Sequence, residues 1–144
     1  KERKLKPTQQ ARYDALQPGE GLRELPDDLR PRSGYSGAYG RLTREMIAPT
    51  ITRWCFHPGS GRFGHPVESR ILTIRELARI QSFSDDFRFE GTNHQKSWQI
   101  GNAVPPLLAE AFAEAVAAAL DGRHVQTQGD GLKASVGRSQ MRLF

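Results

Sequence analysis

Cys55 is the only thiol in the sequence, and to act as a nucleophile it would need a neighbouring base or cation to hold it as the thiolate. Its neighbours Trp54 and Phe56 favour a packed, inert sulfur instead. His57, His65 and His94 could join it as metal ligands, yet their spacing fits no tetrahedral zinc pattern and a second thiol is missing, so no metal is expected. Gly59-Ser60-Gly61-Arg62-Phe63-Gly64 carries the glycine spacing of a dinucleotide-binding loop. That chemistry requires a strand before the loop and a helix N-terminus after it. His57-Pro58 precedes the glycines and His65-Pro66 follows them, so the segment reads better as a loop holding Arg62 forward. Asp85 and Asp86 could share acid and base work, but a Ser84-Asp85-Asp86-Phe87 turn at a helix exit accounts for them. No catalytic residue is assigned to this chain.

Charge is more informative than these single groups. The net +5 on 144 residues is unevenly spread: residues 30–63 carry Arg30, Arg32, Arg41, Arg44, Arg53 and Arg62 against Glu45 alone, among glycines and aromatic side chains. Most of the 21 basic residues are arginine, whose planar, weakly hydrated fork suits phosphate and base edges better than an ammonium does. Nucleic acid is the natural partner, with a merely solvated basic face as the competing reading. The length fits one modest domain or a piece of a larger protein. A single cysteine excludes an internal disulfide and points to a reducing compartment. No stretch approaches about 18 apolar residues, so no membrane span is expected. The sequence opens on Lys1 without a secretory pattern and reads as a fragment.

The elements that must position these residues are few, because 14 glycines and 9 prolines interrupt the chain. Residues 1–33 read as a polar, extended or partly helical connector interrupted by Pro7, Pro18, Pro26 and Pro31. Residues 34–69 mix Gly and Pro punctuation with short β-type runs, chiefly Thr50-Ile51-Thr52-Arg53-Trp54, which Pro49 marks as an edge strand. Residues 70–122 hold two helices. The first starts on a capping box, Thr73 as N-cap and Glu76 three residues on, with Leu72 and Leu77 spaced as a hydrophobic staple, and is expected to run to about Phe83. The second starts after Pro105-Pro106, places Leu108, Phe112, Val116 and Leu120 on one stripe, and stops near Leu120 at Asp121-Gly122. Residues 123–144 lack periodicity and are expected to be disordered.

Recognition enters at residues 70–106. Arg70-Ile71-Leu72-Thr73-Ile74-Arg75-Glu76-Leu77-Ala78-Arg79-Ile80-Gln81-Ser82-Phe83, then Asp86-Phe87, then Gln99-Ile100-Gly101-Asn102-Ala103-Val104-Pro105-Pro106 resemble the last two sequence blocks of the DNA cytosine-5 methyltransferases. Upstream, Tyr39-Gly40-Arg41-Leu42, Ala48-Pro49-Thr50-Ile51-Thr52 and Pro58-Gly59-Ser60-Gly61-Arg62-Phe63 resemble the target-recognition region of bacterial members. The family's donor-binding glycine loop, Pro-Cys nucleophile block, Glu-Asn-Val block and Gln-x-Arg-x-Arg block are absent, and no proline precedes Cys55. The resemblance therefore implies the C-terminal part of such an enzyme. Its fold class would be an α+β fragment, a loop-rich recognition region with short strands followed by two helices that complete a Rossmann-like α/β methyltransferase domain lying outside this chain.

What the resemblance implies for residues follows. Arg41, Thr50, Thr52, Arg53, Ser60 and Arg62 would contact double-stranded DNA, with Thr50 and Thr52 donating to phosphates beside an extruded nucleotide and Arg62 reading guanine or meeting phosphate. Asn102, Ala103 and Val104 would complete the S-adenosylmethionine pocket, with a tight Gly101-Asn102 turn set beside a helix N-terminus, or would form a simple turn before a packing helix. Arg70, Thr73, Arg75, Glu76 and Arg79 would be structural, through ion pairs and caps. Partners would be double-stranded DNA and the N-terminal catalytic part of the same or a companion chain, and the place of action a bacterial cytoplasm at the nucleoid, in a restriction-modification setting. The chain alone would be inactive, and marginally stable or self-associating. A non-enzymatic DNA-binding module and one half of a split methyltransferase are the alternatives.

Overall fold

Two of the four helices among the described residues start on reciprocal side-chain caps, and the loops between them are tied down by arginine and tyrosine side chains. A computed structural model describes residues 2–32 and 36–122. The helices are α1 (Pro7–Ala15), α2 (Ile74–Ile80), α3 (Asn93–Asn102) and α4 (Pro106–Leu120). The chain divides into two compact units, one through Ala103 and one from Val104 onward. The expected tail, 123–144, lies outside the described residues.

In the first unit, the expected extended or partly helical connector is helical over α1. Pro7 stands at the first helical position, where a missing N–H costs nothing, and the Gln9 side chain accepts from the Lys6 N–H at 3.1 Å. Tyr13 and Leu16, three apart and so on one face, are fully buried, as is Leu25 further on. Residues 1–33 thus contribute to the core rather than lead into it.

The expected edge strand over residues 50–54 is also absent. Ile51 is buried between exposed Thr50 and Thr52, which keeps the alternation. The chain then turns: the Cys55 N–H donates to the Thr52 carbonyl at 2.9 Å and the His57 N–H to the Trp54 carbonyl at 2.8 Å, spending the groups a ladder would need. Among the described residues β-pairing is limited to two bridges that share Gly64, parallel to Arg41 and antiparallel to Ile71. Gly64 is required there, since a Cβ would stand 2.8 Å from the Tyr13 ring and 2.9 Å from the Gly40 carbonyl oxygen.

Helix α2 begins as expected on Thr73 and Glu76, with Leu72 and Leu77 both buried. It stops earlier than expected. Ser82 takes a left-handed φ of 61°, and the Phe83 N–H reaches the Ala78 carbonyl while that of Ser82 reaches Arg79, both at 2.9 Å, a Schellman stop without glycine. Helix α3 was not expected. Thr92 accepts from the Gln95 N–H at 3.3 Å while Gln95 accepts from the Thr92 N–H at 2.8 Å, the same reciprocal cap that starts α2. Helices α2 and α3 pack together. Gln81, at the end of α2, donates to the Ile100 carbonyl at 3.0 Å, beside the Ala103 N–H at 3.3 Å, and so ties α2 to the last turn of α3.

The second unit contains α4, which starts at Pro106 and is capped by Asp121 and Gly122 as expected. None of its residues is buried, and Phe112 is 64% exposed. By length and composition residues 93–120 together would suffice to cross a membrane. Residues 103–105, with Ala103 extended, break that run, and the 15 residues of α4 alone reach about 22 Å, short of the ~30 Å hydrocarbon layer.

Candidate nucleic-acid interface

A surface groove of about 380 Å³ gathers Thr50, Thr52, Ser60 and Arg62, four of the six expected DNA-contacting residues, with Pro49 and Phe63 beneath them. Each is placed by a different part of the first unit. Arg62 lies across Gly40, where a Cβ would come within 2.7 Å of its Cγ and 2.8 Å of its Nε. The glycine thus leaves room for the arginine stem. Among the described residues no hydrogen bond or ion pair engages the Arg62 guanidinium. The flanking Phe63 is buried and its carbonyl accepts from the Leu72 N–H at 2.8 Å, so the chain at Arg62 is anchored beside the β-bridges. Tyr39, in a left-handed conformation at φ 58°, lays its ring against Gly59 and accepts at its hydroxyl from Arg12 Nη1 at 2.7 Å.

Thr52 is placed by α3. Gly101 comes so close to the Thr52–Arg53 peptide that a methyl group there would overlap the Thr52 carbonyl and the Arg53 nitrogen. Ser97 Oγ reinforces the contact, its one hydroxyl proton shared between the Arg53 carbonyl at 3.2 Å and that of His94 at 2.8 Å. Gly101 and Asn102 are therefore the last residues of a helix packed on the recognition loop. The tight turn expected at this position is not formed. Asn102 is exposed at the end of α3 and faces a shallow pocket with Glu90, Gln95 and Gln99. Ala103 is the extended C-cap and Val104 is 61% exposed.

Three expected DNA contacts are corrected or qualified by the geometry. Arg41 is only 4% exposed and donates to the carbonyls of Leu16 at 2.6 Å and His65 at 3.1 Å. It is a core arginine whose fork joins loops, and it does not reach the surface. Ser60 lines the groove, but its hydroxyl is bound to the carbonyls of Trp54 at 2.5 Å and His57 at 2.6 Å, closing the turn that carries the glycines. Arg53 points out of the groove, over the rings of Trp54 and Trp98 at 5.4 and 5.6 Å. Sequence reasoning also missed Ile47, 94% exposed on the groove's rim. An apolar side chain there can meet a thymine or cytosine C5 edge in a major groove, and no local pattern in the sequence marks it.

The structural set forms one charged frame and two side anchors. Arg70 holds Glu76 through two bonds of 2.9 Å and Glu68 through one of 2.7 Å, while the Thr73 N–H donates to Glu76 at 2.7 Å. Burial alone would raise the Glu76 carboxyl, but Arg70 and the Thr73 cap outweigh it and bring it down to about 2. Arg79 makes a paired contact with Asp85 at 2.8 and 2.7 Å, and Arg75 donates to the carbonyls of Ser84 and Phe87 at 3.0 and 2.7 Å, which fixes the exit of α2. Cys55 is fully buried, and burial pushes its thiol up to about 12, the opposite of what a nucleophile needs. Among the described residues no three His, Cys, Asp or Glu side chains converge on a metal position.

The family model for C-5 cytosine-specific DNA methylase matches residues 1–118. This chain belongs to that family. A Type II methylase, M.HgiDII, of Herpetosiphon aurantiacus is 37% identical over 118 residues, covering 74% of this chain and 33% of the relative. A DNA (cytosine-5)-methyltransferase 1A of rice, Oryza sativa subsp. japonica, is 41% identical over 100 residues, 69% of this chain but 6% of its own length. The Type II methyltransferase M.AquIB of Picosynechococcus sp. is 43% identical over 93 residues, 57% of this chain and 64% of the relative. The methylase chain thus spans about a third of the bacterial M.HgiDII and a small part of the rice enzyme. Relatives occur in bacteria and plants alike.

Proposed function

We propose that this chain supplies target recognition and the closing C-terminal segment of a DNA cytosine-5 methyltransferase, one that moves a methyl group from S-adenosylmethionine to cytosine C5 within a defined DNA sequence. The single observation that carries this reading is the groove. It sets two exposed threonine hydroxyls and an unengaged arginine on one face, while the only thiol of the chain is buried and protonated. Such a surface binds and orients DNA, and the covalent step belongs to residues outside this sequence.

A cytosine inside the stack hides its C5, so the enzyme must compensate an unstacking cost of a few kcal/mol through contacts on either side. Thr50 and Thr52 are small donors that let phosphates approach the backbone closely, and Arg62 reads guanine through a bidentate fork. When bound, S-adenosylmethionine supplies the methyl group. On this chain the exposed Asn102, the extended Ala103 and the exposed Val104 complete an edge of its pocket, and most of the pocket lies elsewhere. The apolar stripe of α4 is covered by the catalytic part of the enzyme. The setting we propose is a bacterial restriction-modification system in the cytoplasm at the nucleoid, in keeping with the Type II names of two relatives.

A second reading is that the catalytic part is a companion chain. The relative from Picosynechococcus supports it: comparable shares of both chains align, so a protein of about this length bears a methyltransferase name. A non-enzymatic DNA-binding module is the remaining alternative, and detection of methyl transfer by the assembled protein excludes it.

The test is equilibrium binding to duplex DNA at several salt concentrations. Six arginines lie between residues 30 and 63. With Arg41 internal, Arg30 paired to Asp27 at 2.7 Å and Arg53 turned out of the groove over Trp54 and Trp98, at most about three phosphates can be neutralised, which gives a log–log salt slope no steeper than roughly −2.7. Replacing Arg62→Ala relaxes sequence preference. A flat salt response, or uniform weakening on every sequence, contradicts phosphate contact and base reading respectively.

A further inference from the structure

The two tryptophans of the chain, Trp54 and Trp98, lie together outside the groove. Their ring centroids are 6.1 Å apart, His94 stands 5.5 Å from one and 4.8 Å from the other, and all three side chains are exposed, the indoles by 44% and 38%. Arg53 sits over both indoles, and the adjoining cavity of about 280 Å³ adds Arg3, His57 and Phe56 with no carboxylate in its lining. The duplex-reading groove makes no use of this patch, yet it starts one residue after Thr52.

We propose that Arg53, Trp54, His94 and Trp98 form a stacking surface for unpaired nucleobases, so that this chain holds single-stranded DNA beside its duplex-reading groove. The proposal rests on the DNA-recognition reading above and adds a second ligand form to it. The physical grounds are these. An aromatic face stacks on any base, and a guanidinium held against it meets the backbone phosphate, the pairing that single-strand binders use. Duplex DNA cannot present such faces, because its bases already stack on one another. The patch is also held in place. Ser97 ties the Arg53 carbonyl to α3, Gly101 allows the close approach of that helix, and the turn bond from Cys55 to Thr52 fixes the backbone ahead of Trp54. An uncharged apolar protein surface would leave Arg53 and Arg3 without counter-charges, and a phosphate strand supplies them.

Because no other tryptophan exists in the chain, tryptophan emission, excited beyond the absorption of the three tyrosines, reports on this patch alone. The chain is titrated with a single-stranded oligonucleotide, with a hairpin duplex closed at both ends, with inorganic polyphosphate and with polyglutamate. The single strand quenches the emission saturably, and the other three need at least about tenfold higher concentration. Trp98→Leu weakens single-strand binding by about tenfold, the loss of one stacked base, while Trp98→Phe restores most of it. Labelled-duplex anisotropy stays unchanged in both variants. Loss of duplex and single-strand binding together in Trp98→Leu, with Trp98→Phe failing to recover either, overturns the proposal, as does equal quenching by polyphosphate or polyglutamate, or no quenching by the single strand. Failure of the anisotropy signal in the unmodified chain sinks the DNA-recognition reading itself, whereas duplex binding without single-strand quenching sinks only the stacking surface.

Discussion

Gly101→Ala tests how the recognition loop is held. The added methyl would overlap the Thr52 carbonyl group and the Arg53 nitrogen, which are backbone atoms with no side-chain freedom to yield. Neither partner can retreat cheaply. The loop is closed by the 2.9 Å bond from Cys55 to Thr52, and α3 is fixed by fully buried Ile100 and by Gln81 on its terminal carbonyl at 3.0 Å. Overpacking of this kind costs about 1–3 kcal/mol. Against it stands the helix preference of Ala over Gly, worth at most about 1 kcal/mol and less in a last turn. The expected net result is destabilisation by about 1–2 kcal/mol in urea unfolding followed by tryptophan emission. Asn102→Ala, at the next and exposed position, serves as the control and changes stability by less than about 0.5 kcal/mol. Displacing Thr52 also weakens duplex binding several-fold. If Gly101→Ala stabilises the chain, helix propensity alone governs this position and the proposed close approach is wrong.

Three further outcomes follow from the same geometry. The Glu76 carboxyl is depressed to about 2 in the folded chain against 4.5 as its ordinary value, so its contribution of about 3 kcal/mol is complete above pH ~4.5 and is lost as pH falls through about 2. Glu76→Gln should remove that stretch of acid sensitivity and lower stability at neutral pH, and acid unfolding curves that coincide for the two proteins would contradict it. Arg41→Leu leaves the Leu16 and His65 carbonyls without their donor, costing about 2–3 kcal/mol by thermal or urea unfolding while duplex affinity per folded molecule is kept. A selective loss of DNA binding would return Arg41 to the interface. Cys55 should react with a disulfide reagent only at the rate of global unfolding, and fast modification of the native chain would show that its burial is overstated.

Legibility in the sequence followed the strength of local rules. Helix α2 was readable because Thr73 and Glu76 form a reciprocal cap in front of an apolar stripe, and α4 because two prolines and Asp121-Gly122 bracket an uninterrupted apolar run. Thr92 and Gln95 carry the same cap signal for α3. It was masked by reading the Gln99 to Pro106 motif as a turn, although Gly101 serves tight packing here. Helix α1 is legible only as a partly helical connector without bounds, because Pro7 reads as an interruption although the first helical position tolerates it. Side-chain direction was the harder part. Arg41 and Arg62 sit in similar glycine-rich surroundings, and only the three-dimensional proximity of the Leu16 and His65 carbonyls sends the first inward. The strand expected at residues 50–54 failed because β-branched residues alone do not supply a ladder partner.

The central claim is that this chain reads DNA and completes an enzyme whose methyl-transferring centre lies in other residues. It is tested most directly by following transfer of a labelled methyl group from S-adenosylmethionine to duplex DNA, with the chain alone and with a polypeptide carrying the missing sequence blocks. The account predicts no incorporation by the chain alone and incorporation at cytosine C5 once the two are combined. Methylated cytosine produced by the purified chain without any companion would contradict it.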